Sequence, residues 1–276
     1  MRKLEQFAWS NSRFILEALT RRRQPIELTE KTTLKVNQVF ANHQRNQAFN
    51  EEFGCERLLP SYAFVLGYRF LGQLLLQANI PSKLAGLIHL SSQFTYVSEH
   101  DFSKDCDVEV TLTGFRQSSK GILYSFKTVL FQRGIKTLEN TNMVLDKSPH
   151  YKSNKAKSKG NWEQASYDVI AKLPVTIDTA WRYAKLSGDF NPIHLHKLSA
   201  KALGLPNALI HGMYNLHWSL AQLDTSMLKN WQSIKVGFNR PCYLPSNISL
   251  VALESGEYGL FSTDFSERYL TLTIKP

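Results

Sequence analysis

The sequence predicts an α+β protein built from two copies of one unit, each a long apolar helix followed by antiparallel strands that wrap around it. Three observations carry this reading. A polar, Lys- and Ser-rich stretch from His150 to Asn161 (H-Y-K-S-N-K-A-K-S-K-G-N) divides the chain into parts of similar length and reads as an exposed linker. The same order of elements occurs on both sides of it. The strand-forming segments alternate apolar and polar residues, at Val108, Val110 and Leu112 and again at Leu270, Leu272 and Ile274, the period of antiparallel strands with one buried face. The division gives an N-terminal domain, residues 1–149, with a helical extension, a linker, residues 150–161, and a C-terminal domain, residues 162–276.

The extension, Met1 to Arg23, sets Leu4, Phe7, Ala8, Ile15 and Leu19 at near-helical spacing among Arg2, Lys3, Arg13 and Arg21 to Arg23. It reads as a basic helix packed on the body of the protein. A membrane-surface helix or a mitochondrial address are the alternatives, and Glu5 and Glu17 argue against an acid-poor transit peptide. Thr33 to Val36 reads as a strand, followed by Asn37 and a helical stretch through Phe49. A long apolar helix begins near Leu58-Leu59-Pro60-Ser61 and runs to about Gln77, with Tyr62, Phe64 and Tyr68 on its buried face. Strands follow at Leu87 to Tyr96, Cys106 to Gly114, Leu123 to Gln132 and Lys136 to Leu145.

The second part repeats this order. Val175-Thr176-Ile177 reads as a strand and Ile177 to Leu186 as a helix with Asp178 as N-cap. A second apolar helix begins near Leu209-Ile210-His211-Gly212 and runs to about Leu223, and strands follow at Ser233 to Phe238, Ile248 to Leu253, Leu260 to Phe265 and Tyr269 to Ile274. Ser118-Ser119-Lys120-Gly121 and Glu254-Ser255-Gly256-Glu257 supply turn chemistry between strands. The repeat rests on the order of elements, not on residue identity.

Composition sets limits. With 276 residues, 43% of them hydrophobic and 20% charged, the chain can bury one large core or two modest ones. No apolar run approaches the ~20 residues of a membrane span, so an integral membrane protein is not expected. Cys55, Cys106 and Cys242 are far apart and form no C-x-x-C pair, which fits a reducing, cytoplasmic compartment and argues against a disulfide framework or a zinc site. His196 and His217 lack a third partner at metal spacing, so no metal is expected. No P-loop or dinucleotide fingerprint is visible, and no cofactor is expected.

The chemistry-bearing region runs Y-A-K-L-S-G-D-F-N-P-I-H-L-H-K-L-S-A from Tyr183 to Ala200, then G-L-P-N-A-L-I-H-G-M from Gly204 to Met213. Gly188, Asn191 and Pro192 are turn formers, so Asp189 and His194 project from a constrained loop. A carboxylate orients a neutral imidazole and stabilises its charged form, and five residues apart on a folded loop both can reach one water. His211-Gly212-Met213 stands where an apolar helix starts, where the first N–H groups lack internal partners and can serve a developing oxyanion. Taken piecemeal the features are ordinary: Asp189 could cap a helix from about His196 to Leu203, and His194 and His196 could be surface residues. Tyr183, Trp181 and Trp218 read as packing residues.

The complete string, S-G-D-x-N-P-I-H followed by a helix and H-G-M, resembles the MaoC-like hydratase and dehydratase family, which includes (R)-specific enoyl-CoA hydratases. Its motif falls here on Tyr183, Ser187-Gly188-Asp189, Asn191-Pro192, Ile193, His194 and Ala200. The resemblance is specific from about Tyr183 to Met213 and architectural elsewhere. It implies the double hot-dog fold, two long helices each wrapped by a curved antiparallel sheet, in one chain. It also implies one active site, because the first half has Asn50-Glu51-Glu52-Phe53-Gly54 in place of the Asp–His loop and Pro60-Ser61 in place of His211-Gly212.

The implied activity is reversible hydration of trans-2-enoyl thioesters, or dehydration of (R)-3-hydroxyacyl thioesters. Asp189 and His194 would activate the water, and the Gly212 N–H would bind the thioester oxygen. Asn191, His211, Met213 and Ser219 would support substrate, Ser219 lying two helical turns beyond Gly212. The first half would shape the acyl and pantetheine channel, with some of Tyr62, Phe64 and Tyr68 able to line it. The formal charge of +10 suits coenzyme A or an acidic acyl carrier protein. The basic residues are dispersed and match no nucleic-acid-binding module. A monomeric pseudo-dimer or a homodimer is expected. The competing readings are a non-catalytic acyl-CoA-binding or scaffold protein and a hot-dog thioesterase.

Overall fold

The computed structural model describes residues 32–78, 80, 82, 86–147, 167–254 and 256–276. The basic N-terminal helix and the 150–161 linker lie outside the described residues. The first unit comprises β1 (Thr32–Val39), α1 (His43–Phe53), α2 (Tyr62–Gln77), β2 (Leu87–Tyr96), β3 (Cys106–Ser118), β4 (Gly121–Gln132) and β5 (Ile135–Lys147). The second comprises β6 (Val169–Val175), α3 (Ile177–Ser187), α4 (Pro192–Leu195), α5 (Lys197–Ala202), α6 (Gly212–Ala221), β7 (Ser233–Phe238), β8 (Ser246–Ala252), β9 (Glu257–Ser262) and β10 (Arg268–Lys275).

The alternation read in the sequence is the burial pattern of the folded strands. Cys106, Val108, Val110 and Leu112 of β3 are buried, while the residues between them are partly exposed. All ten strands join one antiparallel sheet in the order β1-β3-β4-β5-β2-β7-β10-β9-β8-β6. Each half contributes five strands in the same internal order, mirrored about the β2–β7 pair. There Ser92 stands opposite Val236 and Phe94 opposite Ile234. The repeat inferred from element order is thus a repeat of topology.

The sheet buries the two long helices. Every residue of α6 from Met213 to Leu220 is buried, the polar Asn215, His217 and Ser219 included. Ala63, Val65 and Leu74 of α2 join Leu216 and Leu220 of α6 in one apolar cluster that spans both units. A polar link also crosses between the units: Ser61 Oγ is hydrogen-bonded to His217 Nδ1 at 2.6 Å, and His217 Nε2 to the Tyr183 hydroxyl at 3.1 Å.

Three sequence expectations are corrected. The first helix does not follow Asn37. β1 continues to Val39, and Asn42 caps the helix by accepting from the Arg45 N–H at 2.9 Å, so that Phe49 and Phe53 face the core. The N-cap of α3 is Thr176, whose N–H donates to Thr179 Oγ1 at 3.2 Å, and Asp178 sits in the first turn. Strand β9 ends at Ser262, because Asp264 Oδ1 accepts from the Ser266 N–H and from the hydroxyls of Ser262 and Ser266, closing a turn that takes Phe265 out of the sheet.

Candidate active site

The loop between α3 and α4 is built by its own sequence. The Ser187 hydroxyl donates back to the Tyr183 carbonyl at 2.8 Å and accepts from the Asp189 N–H at 3.1 Å. Gly188 takes the left-handed conformation at φ 79°, which a side chain would strain, and its N–H closes α3 on the Ala184 carbonyl. Asn191 caps α4: its Oδ1 accepts from the Ile193 N–H at 3.3 Å, and Pro192 occupies the first helical position. Asp189 is therefore free of capping duty. His196 caps α5 instead, accepting from the Leu198 N–H at 3.1 Å.

His194 is fixed by a donor bond from Nδ1 to the Leu209 carbonyl at 2.8 Å, which leaves the Nε2 lone pair available. Leu209 is held in turn, its N–H donating to Ile193 and its backbone paired with Tyr243. This extended stretch is why α6 starts at Gly212 rather than Leu209. His211 caps α6, donates from Nε2 to the Asp189 carbonyl at 2.9 Å, and stacks on the His194 ring with centroids 3.8 Å apart. Burial holds both histidines below their ordinary protonation range, most strongly His211, where the neighbouring His194 adds to the effect. For His194, the Asp189 carboxylate and the Leu209 carbonyl partly oppose burial.

Asp189, His194 and His211 offer a carboxylate oxygen and ring nitrogens within 4.8 Å of one another. Sequence spacing did not foresee this three-donor cluster, because His211 arrives from a separate element.

Asp189, Asn191, His194, His211, Gly212 and Met213 all line one cavity of about 350 Å³. Ser219 is not brought there. Seven residues past Gly212 it has the right helical face but lies ~10 Å further along the axis, and it is fully buried with its hydroxyl unpaired. Gly212 itself is required by close approach: a Cβ there would meet Phe238 Cδ1 at 2.9 Å. Trp218 is buried as expected, but Trp181 is 41% exposed and donates from its indole to the Leu195 carbonyl at 3.1 Å.

The opposite wall comes from the first unit. The Tyr68 hydroxyl donates to Asp189 Oδ1 at 2.7 Å, and the Asn191 N–H donates to the same oxygen. From Tyr68 a row of rings continues through Phe64 at 5.3 Å and His89 at 5.4 Å to Phe238 at 4.7 Å, the residue that packs on Gly212. His89 Nε2 donates to the Asn142 Oδ1 and Ser91 carbonyls, both at 3.1 Å, and burial lowers its pKa to about 4. Leu71, Leu75 and Leu87 extend the apolar lining. Tyr62 is buried elsewhere, with its hydroxyl on Asn46. The first half thus shapes the cavity, as expected, and also touches the carboxylate, which the sequence reading missed. The four-residue step from Phe64 to Tyr68 put both on one helical face, but nothing in it named Asp189.

No described helix is long and apolar enough to cross a membrane. Residues 159–273 match the model of the MaoC like domain. The chain is 24% identical over 218 residues to 3-hydroxyacyl-thioester dehydratase X of Mycobacterium tuberculosis, covering 78% of each protein. The crystal structure of HtdX from that organism superposes with a TM-score of 0.76 at 21% identity, covering 88% of this chain and 98% of that one. A second M. tuberculosis protein, described as having a double hotdog fold, superposes with a TM-score of 0.58 at 12% identity over 90% of this chain and 96% of its own. With the motif residues gathered in one cavity, residues 159–273 match the MaoC like domain, and the fold shared along both halves is the double hot-dog.

Proposed function

We propose that the protein is a hydro-lyase that adds water to trans-2-enoyl thioesters and removes it from (R)-3-hydroxyacyl thioesters in fatty-acid metabolism. One observation carries the reading: an anchored neutral imidazole, a carboxylate and a helix-N-terminal amide converge on one largely apolar cavity. In the hydration direction a water lies between the carboxylate of Asp189 and His194 Nε2. The imidazole takes one proton, the hydroxide oxygen bonds to the β-carbon, and the double-bond electrons move toward the thioester oxygen. The Gly212 N–H stabilises that oxygen; one such donor contributes ~3–4 kcal/mol in well-studied enzymes. The imidazolium, stabilised by Asp189, returns its proton to the α-carbon, so that water is added and His194 is neutral again. Dehydration is the same path reversed.

Residues 162–276 serve in this reading as the catalytic domain, residues 1–149 as the wall of the acyl and pantetheine channel, and residues 150–161 as the linker. Asn191 fixes the loop, while His211 and Met213 border the substrate. The substrate is carried on coenzyme A or acyl carrier protein. The three cysteines are free in the structure, which suits a cytoplasmic location. Loss of conjugated-thioester absorbance with crotonyl-CoA and longer enoyl substrates tests the reading. Release of free thiol without hydration would replace it with a thioesterase, and tight acyl-CoA binding without any turnover would replace it with a binding protein.

A further inference from the structure

Asn215 of α6 is 3% exposed and lines the cavity, and its buried Oδ1 has no hydrogen-bond partner among the described residues. Buried amides are almost always paired, and leaving one unpaired costs ~1–3 kcal/mol. An apolar residue would be the stabilising choice in this helix, whose neighbours Tyr214 and Leu216 belong to the core. The position suggests what the amide is kept for. Asn215 lies three residues beyond Gly212, on the same face. Helical side chains lean toward the N-terminus and cover the preceding turn, which here begins at Gly212. Oδ1 is the enclosed end of the amide, which leaves Nδ2 toward the cavity. The reverse placement would enclose two donors without acceptors, a rarer condition than one unpaired carbonyl.

We propose that Asn215 Nδ2 is a second donor to the thioester oxygen, beside the Gly212 N–H. This rests on the reading of Gly212 as the oxyanion donor. Two donors on one oxygen, one from the backbone and one from the side chain a turn later, would fix the plane of the thioester as well as the charge that develops on it.

The test pairs turnover with a spectroscopic signal. Asn215→Leu, close in size, is compared with the unaltered protein for hydration of crotonyl-CoA. The absorption band of 2,4-hexadienoyl-CoA is recorded on binding to Asp189→Asn and to the Asp189→Asn/Asn215→Leu double variant. A donor to the carbonyl oxygen polarises the conjugated thioester and moves the band to longer wavelength. The expected result is a fall in kcat of ~100-fold with little change in KM, a smaller band shift, and a melting temperature equal to or above that of the parent. An undiminished band shift, or unchanged kcat, overturns the proposal. So does a kcat loss that merely tracks a lower melting temperature. If no enoyl-CoA is hydrated by the unaltered protein, the hydro-lyase reading falls, and the band shift still decides whether Asn215 donates.

Discussion

The Tyr68 hydroxyl of the first unit donates a 2.7 Å hydrogen bond to Asp189 Oδ1 of the second. That oxygen also accepts from the Asn191 N–H, and both bonds hold the carboxylate in one orientation. Tyr68→Phe is expected to lower kcat/KM by ~10–100-fold, the worth of a hydrogen bond to a charged group. In the Asp189→Asn background the same substitution is expected to have little further effect, since the pair acts as a unit. Equal losses in both backgrounds would place Tyr68 outside this function.

Asp189→Asn and His194→Ala are each expected to reduce hydration at least ~1,000-fold while circular dichroism and melting temperature stay close to the parent. Both side chains line the cavity, so the melting temperature separates a loss of chemistry from a loss of structure. Retention of full activity in both variants would remove the assignment of the base.

Gly212→Ala would press a methyl against the Phe238 ring. The ring is itself packed on His89, so the strain is expected to pass to the start of α6. A kcat loss of ~100-fold is predicted, with partial recovery in Gly212→Ala/Phe238→Leu. Failure of the second change to restore anything would locate the defect in the amide itself.

Burial keeps His217 uncharged down to a pKa of about 3, and His89 and His100 down to about 4. In the unfolded chain these residues titrate near the ordinary ~6.5. Folded values below unfolded ones mean that unfolding takes up protons as the solution is acidified, so stability falls with falling pH, beginning near 6.5 and continuing to about 3–4. Each such histidine contributes up to ~1.4 kcal/mol per pH unit within its window. The urea midpoint is therefore expected to drop measurably between pH 7.5 and 5.5, before the carboxylates contribute. A flat midpoint across that range would contradict the burial of these rings in their neutral form.

The Asp189, His194 and His211 cluster resembles a ligand set for a divalent cation. One nitrogen of each histidine donates to a backbone carbonyl, at Leu209 and at Asp189, which leaves His194 Nε2 and His211 Nδ1 for a cation or for the water of the proposed reaction. Exhaustive chelation is expected to leave hydration unchanged. Loss of activity restored by zinc or another divalent cation would make the cluster a metal centre and displace water activation by the bare Asp–His pair.

The legible part of the site is the part written locally. Ser187, Gly188 and Asn191 shape their loop through bonds to residues at most four positions away, so their spacing carries the geometry. The same holds for the strands, whose period of two is a local property. Tyr68, His89 and Phe238 meet the loop only because β2 pairs with β7, a long-range choice that no window of sequence contains. The first helix starts at His43 rather than just after Asn37 because the pairing of β1 with β3 carries the strand on to Val39. Ser219 shares the helical face of Gly212 but does not line the cavity, since helical periodicity gives direction but not depth along the axis.

The β2–β7 junction has a consequence for how the catalyst responds to dilution. Where two separate chains must meet to complete a cavity, the fraction assembled falls as they are diluted. Here the wall bearing Tyr68 and the loop bearing Asp189 are tethered in one polypeptide, which sets their mutual concentration at roughly millimolar or above however little protein is present. Specific activity should therefore hold constant to the lowest enzyme concentrations an assay can read. The tether also makes the two halves independent in sequence, so a substitution in the wall leaves the loop that faces it unchanged.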